Sequence, residues 1–171
     1  RIQSNLVKDN IYVSVFLDFA DAFTSVTPVA CISKLHKLGI RGRLLLYLKE
    51  FVSDRMALVR VNGQESGPFE KFRSATPQGS VISPLLFIIF VNDILIKMAI
   101  GRPLAYMDDI SLGAHAARKC PKDVNKMKRI LQACLSKCEK WSIKWGATFN
   151  VDKCEYVLHR KSTIRSPVEL P

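Results

Sequence analysis

Residues Ile11 to Phe19 (IYVSVFLDF) form a nearly continuous apolar, β-branched and aromatic run, and it constrains the fold more than any other stretch. Half-exposed strands alternate apolar with polar residues. An unbroken run is instead the pattern of a central strand covered on both faces. The chain must therefore build a sheet around this segment and back it with other elements. Asp18 lies at its end. A carboxylate closing a buried strand is costly to desolvate without a partner, which makes Asp18 a site candidate, with a turn-capping Asp as the plain alternative.

The backing elements follow from apolar spacing. Val29, Ile32, Leu35 and Leu38 recur every three residues, with Thr27 as N-cap, Pro28 at the first helical position and Gly39 as a stop. A second helix is expected from about Gly42 to Val52, burying Leu44, Leu45, Leu48, Phe51 and Val52. Met56 to Val61 and Pro68 to Ser74 flank Asn62-Gly63, a hairpin signal, so the two segments should pair. Ala75 to Pro84 reads as a loop in which Gly79 permits positive φ and Gln78 offers a donor and an acceptor. Ser83 as N-cap and Pro84 then start a helix through Ile96, apolar nearly all round and hence buried. That helix is too short and too interrupted by Asn92, Asp93 and Lys97 to span a bilayer.

Ala105-Tyr106-Met107-Asp108-Asp109-Ile110 sets two adjacent acids between apolar runs, the pattern of a short hairpin whose turn carries both. Like charges side by side in an apolar setting call for a cation. The longest helical signal runs from about Lys122 to Trp145. Val124, Met127, Leu131, Leu135, Cys138, Ser142 and Trp145 form its apolar stripe, Cys134 and Trp141 widen it, and Gly146 ends it. Opposite them Lys122, Lys126, Arg129, Lys137, Lys140 and Lys144 form a basic face, either solvated or in contact with phosphate. Ala147 to Val151 and Cys154 to Leu158 read as two short strands around Asp152-Lys153. A frayed tail is expected over 162–171.

Composition narrows the partners. Twenty-six Lys and Arg against 15 Asp and Glu give a net charge of +11, which favours a polyanion, nucleic acid ahead of an anionic membrane surface. From His115 onward 13 basic residues face 5 acidic ones, so the final third carries most of that field. Five cysteines without a CxxC pair, with neither a signal peptide nor a spanning segment, set a reducing intracellular location as the expectation and no membrane as a partner. Cys134 and Cys138 could join His115 or Cys120 around zinc, but both lie on the apolar stripe, where a thiol serves as a small hydrophobe; no zinc is expected.

If the strand of Asp18 lies beside the Asp108-Asp109 hairpin, three carboxylates converge and form a hard-oxygen site suited to Mg²⁺. Two such ions about 3.5 to 4 Å apart would serve an in-line displacement at phosphorus. At this point the motifs become familiar. LDFADAF at Leu17 to Phe23, TPQGSVISPLLFIIFVNDI at Thr76 to Ile94, AYMDD at Ala105 to Asp109 and WSIKWGATFNVDKCEYVL at Trp141 to Leu158 resemble, in order, four motifs of the reverse transcriptases of non-LTR (LINE-type) retrotransposons.

The resemblance implies an α/β (α+β) polymerase palm over 1–161, an antiparallel sheet backed by helices, with fingers and thumb largely missing and no endonuclease region. It implies that Asp18, Asp108 and Asp109 are metal carboxylates for two Mg²⁺ (Mn²⁺ as a substitute), with the Phe19 carbonyl as an added ligand. Phe23 matches an aromatic gate against the ribose 2′-hydroxyl. Gln78, Gly79, Tyr106 and Met107 would line the nucleotide site, and Lys153 matches a lysine near the pyrophosphate leaving group. The implied partners are an RNA template, a DNA primer and dNTPs, together with the fingers, thumb and endonuclease regions of a longer polyprotein. Three positions depart from the group's usual pattern. Asp21 and Thr24 stand where Lys-Ala-Phe-Asp is the usual reading, and Met107 where Ala is more common. A degenerate, non-catalytic remnant that acts only as a nucleic-acid-binding module is the competing reading.

Overall fold

The structure is a computed structural model that describes residues 10–23, 25–53, 56–67, 70–71, 76–77 and 79–160. The expected frayed tail, Gln78 and Thr24 lie outside the described residues. The early apolar run forms β1 (Asn10–Leu17), and it is central as expected. β1 pairs antiparallel on one side with β7 (Asp109–Ala117) and on the other with β8 (Glu155–His159); β6 (Leu104–Tyr106) joins the far edge of β7.

The strand is not covered by helices on both faces. Ile11, Val13, Val15 and Leu17 point into the core with Ile110, Leu112, Ala114 and Ala116 of β7. The alternate residues Tyr12, Ser14 and Phe16 share the other face with Ser111, Gly113 and His115. Tyr12 and Ser14 are buried among the sheet's own side chains, Ser14 hydrogen-bonding His159 at 3.0 Å, but Phe16 is 45% exposed. An apolar residue there reflects a cleft floor rather than a second helical layer.

Among the described residues four α-helices supply the backing: α1 (Pro28–Lys37), α2 (Gly42–Val52), α3 (Ser83–Lys97) and α4 (Pro121–Trp145). α1 starts as its sequence foretells, the Thr27 side chain accepting from the Ala30 amide with Pro28 behind it. Its buried face is different, however. Ala30, Cys31, Lys34 and Leu35 go inward, whereas Val29 and Leu38 are exposed, because a strict three-residue spacing drifts around a helix of 3.6 residues per turn. On α2, Leu48 and Val52 are buried and Leu44 is exposed.

α3 buries Leu86, Phe87, Phe90, Val91 and Ile94 but exposes Leu85, Ile88 and Ile96, so it is covered on one side only. Ser83 does not cap it. Its hydroxyl donates instead to the Pro77 carbonyl at 2.6 Å and ties the preceding loop to the helix. α4 has the expected seam, with Met127, Leu131, Cys134, Cys138 and Trp141 buried and Gly146 at φ +70° as the left-handed cap.

Between α2 and α3 the Asn62-Gly63 turn joins β3 (Arg60–Val61) to β4 (Gln64–Glu65), and outside them β2 (Met56–Ala57) pairs with β5 (Glu70–Lys71). The expected hairpin is therefore present but broken, with Val59 bonded to Ser66 between the two pairs. The strand expected over Ala147 to Val151 is reduced to an isolated bridge between Phe19 and Phe149, followed by a 3₁₀ turn at Val151–Lys153.

Candidate active site

The β1–β7 register ends at Leu17 opposite Ile110. One further step sets Asp18 opposite Asp109, on the face shared by Phe16 and Ser111. Asp109 is the first residue of β7 and pairs with Tyr106, so the tight turn holds Met107 and Asp108 rather than both acids. Met107 takes φ +55°, a left-handed conformation that usually falls to Gly, and this lets the hairpin close in two residues.

Phe16, Asp18, Tyr106, Asp109, Ser111 and Lys153 line an open cleft of about 540 Å³ over this end of the sheet. Asp108 is not among the residues lining it. Asp108 belongs to the turn rather than to β7, so strand alternation points Asp109 to the cleft face but does not fix the direction of Asp108. Among the described residues no group of three or more His, Cys, Asp or Glu is close enough to hold a metal.

Asp18 is held from the other side. The Asn150 amide donates to the Asp18 carbonyl and the Ala20 amide to the Thr148 carbonyl, both at 2.9 Å. These bonds flank the Phe19–Phe149 bridge, a geometry that directs the Phe19 N–H and carbonyl away from Phe149, toward the side of β7. The Phe19 ring is buried, stacked on Phe149 at 4.5 Å and edge-on to Phe87 and Trp141. The same stitching brings in Lys153, whose ammonium lies 3.9 Å from Asp18 Oδ2. That oxygen is buried and accepts no hydrogen bond, an orphaned anionic atom of the kind a hard divalent cation satisfies.

Phe23 lies apart from the carboxylates. With Pro77, Gly79, Ser80 and Val81 it lines a separate apolar niche of about 360 Å³. Its ring leans on Phe87 at 5.5 Å, its carbonyl accepts from the Thr76 hydroxyl, and Gly79 stands at φ +85°. Thr76 and Ser83 are buried polar residues that fix this loop, and their roles were not foreseen. Phe16 and Ser111 were missed as cleft residues too, although each lies two positions from a candidate Asp, a period-2 signal that could have found them.

The family model described as reverse transcriptase (RNA-dependent DNA polymerase) matches residues 3–166. The chain belongs to this reverse transcriptase family. It is 30% identical over 164 residues to the probable RNA-directed DNA polymerase from transposon BS of Drosophila melanogaster, covering 92% of this chain and 18% of that protein. It is 28% identical over 163 residues to the RNA-directed DNA polymerase from mobile element jockey of the same species, covering 91% and 17%. The reverse transcriptase domain thus spans less than a fifth of the length of these relatives, and they bear out the likeness to the non-LTR, LINE-type group. The structure of apo telomerase from Candida tropicalis superposes with a TM-score of 0.64 at 14% identity, covering 95% of this chain and 34% of that one. A telomerase structure from Candida albicans gives 0.53 at 12%, covering 97% and 29%. The shared fold is the polymerase palm, a helix-backed antiparallel sheet.

Proposed function

We propose that this reverse transcriptase domain, the palm over 1–161, catalyses RNA-templated DNA synthesis, in which a primer 3′-hydroxyl attacks the α-phosphate of a dNTP and pyrophosphate leaves. The observation that carries the reading is that Asp18 and Asp109 line one cleft, with a buried Asp18 Oδ2 that accepts no hydrogen bond beside Lys153. Asp18, Asp109, the Phe19 carbonyl and, from the turn, Asp108 would hold two Mg²⁺ ions, or Mn²⁺. When bound, these would activate the hydroxyl and stabilise the leaving oxygen. The chain's own groups do the rest. Lys153 places a cation beside the leaving pyrophosphate. Phe23 would bar a 2′-hydroxyl, and Gln78, Gly79, Tyr106 and Met107 are the residues that would meet the nucleotide. The RNA template, DNA primer and dNTPs are the partners, with fingers, thumb and endonuclease regions supplied by a longer intracellular polyprotein. No helix among the described residues is long and apolar enough to cross a membrane.

Primer extension on an RNA template with Mg²⁺ tests the proposal, comparing the protein with Asp18→Asn, Asp108→Asn and Asp109→Asn. Incorporation should fall by about a hundredfold or more with each, the scale seen when a group stabilising transition-state charge is removed; equal incorporation would overturn it. Asp108 outside the cleft lining favours a second reading, a nucleic-acid-binding module without catalysis. That reading expects template binding and no extension by any of the four proteins.

A further inference from the structure

We propose that the outward face of α4 is a second nucleic-acid contact, on the opposite side of the sheet from the cleft, gripping the phosphate backbone of an RNA strand. α4 packs through Met127, Leu131 and Cys134 onto the side of the sheet that carries Leu112, Ala114 and Ala116. Asp18 and Asp109 lie on the other side. Whatever α4 holds is therefore remote from a paired end in the cleft.

Lys122, Lys126, Arg129, Lys137, Lys140 and Lys144 are all exposed, and among the described residues none of them makes an ion pair. They step by three or four residues along a single row, with Ala133 at the one position in the middle that lacks a cation. At 1.5 Å per residue the row is about 33 Å long, with a cation about every 5.5 Å where it is unbroken. A row of cations at this spacing suits a chain of regularly repeating phosphates, one negative charge per nucleotide. Asp123 and Glu139, the acids of this helix, fall outside the row.

An anionic membrane fits less well. A helix lying on a bilayer needs an apolar face to embed, but the apolar face of α4 is spent in the core. Ile143 is its one large apolar side chain in the open among the described residues.

The test needs binding only, so its failure is separable from failure of the polymerase reading. Anisotropy with an unstructured 30-nucleotide RNA is measured across KCl concentrations for the 171-residue chain. The variants are K122E/K126E/R129E, K137E/K140E/K144E and, as a charge-matched control on α1 and α2, K37E/R43E/K49E. Each stripe variant should bind about tenfold more weakly, with the slope of log K against log [KCl] reduced by about 2, as expected when three phosphate contacts to a single strand are lost. The control should keep its slope. Equal losses in the control, or an unchanged slope in the stripe variants, would overturn the proposal. So would binding of the unmodified chain to phosphatidylserine vesicles in preference to RNA. Lysine acetylation of the unmodified chain with and without RNA needs no variant. Protection of Lys122, Lys126, Lys137, Lys140 and Lys144 is expected, and uniform labelling overturns the assignment.

Discussion

The Lys34 ammonium is almost wholly out of water, at 4% exposure, yet it is well accompanied. It donates to the Phe90 carbonyl and to Asp93 Oδ1, and the rings of Phe90, Trp141 and Trp145 lie within 4.6 Å of it. Trp141 Nε1 donates to the same Asp93 oxygen, and Trp141 in turn supports Phe19, the neighbour of Asp18. Burial pushes the lysine down to about 8 from its usual 10.5, the Asp93 hydrogen bond opposing that shift. Between those values the unfolded chain holds a proton that the folded one has lost. The Lys34 contribution to stability is therefore flat below about pH 8 and rises toward pH 10.5. Urea midpoints at pH 7.5 and pH 10 should show this increment, and Lys34→Met should abolish it while costing about 1–3 kcal/mol in lost charged hydrogen bonds at neutral pH. Phe23 gives a second prediction at this scale. With its ring braced by Phe87, Phe23→Ala in a polymerase carrying its fingers should admit ribonucleotides, and unchanged sugar selectivity would remove it as the gate. Asp18 stood out in the sequence as a candidate because a carboxylate ending an apolar strand is costly to desolvate, and in the structure it lines the cleft with Asp109. The separate directions of Asp108 and Asp109 were not legible, since they depend on where the turn closes.

Among the elements, the β1–β7 pair shows a requirement that composition hides. A Cβ at Gly113 would lie 1.8 Å from the Tyr12 hydroxyl oxygen, whose buried ring lies across it. Gly113→Ala should cost about 1–3 kcal/mol through overpacking, and Tyr12→Ser in the same chain should recover part of the loss by vacating the space. Thermal midpoints of the single and double variants decide this. Elements with caps were the most legible: Thr27-Pro28 and Gly146 mark α1 and α4 because their geometry is local. Which face of α1 is buried was not, because it is decided by the aromatic cage that accepts Lys34, assembled from residues more than fifty positions away. The same holds for α3, whose apolar composition gives no sign of which side meets the core.

For the whole molecule, burial sorts the thiols. Cys31 is pushed up to about 11 and Cys138 to about 12, chiefly by desolvation, and Cys134 is raised for the same reason. Cys120 and Cys154 are only partly buried. At pH 8 a thiol reagent should modify Cys120 and Cys154 first, leaving the other three to react only as the chain unfolds; five equal rates would contradict the packing around α4. The sheet order was partly legible, in that a central first strand was required, but its partners come from the far end of the chain and no local signal names them.

That order has a kinetic meaning. β1 bonds to β8 across pairs such as Tyr12 with His159, and the Asp18 carbonyl is held by Asn150, so the carboxylate end of the cleft is closed by residues made more than 130 positions later. Loop closure on that scale is slow and precedes any reward from the contacts it allows. During synthesis the α1–α2 pair can form early from neighbouring sequence. The cleft cannot form until β8 has left the ribosome, and until then the most apolar strand lacks a partner along one edge.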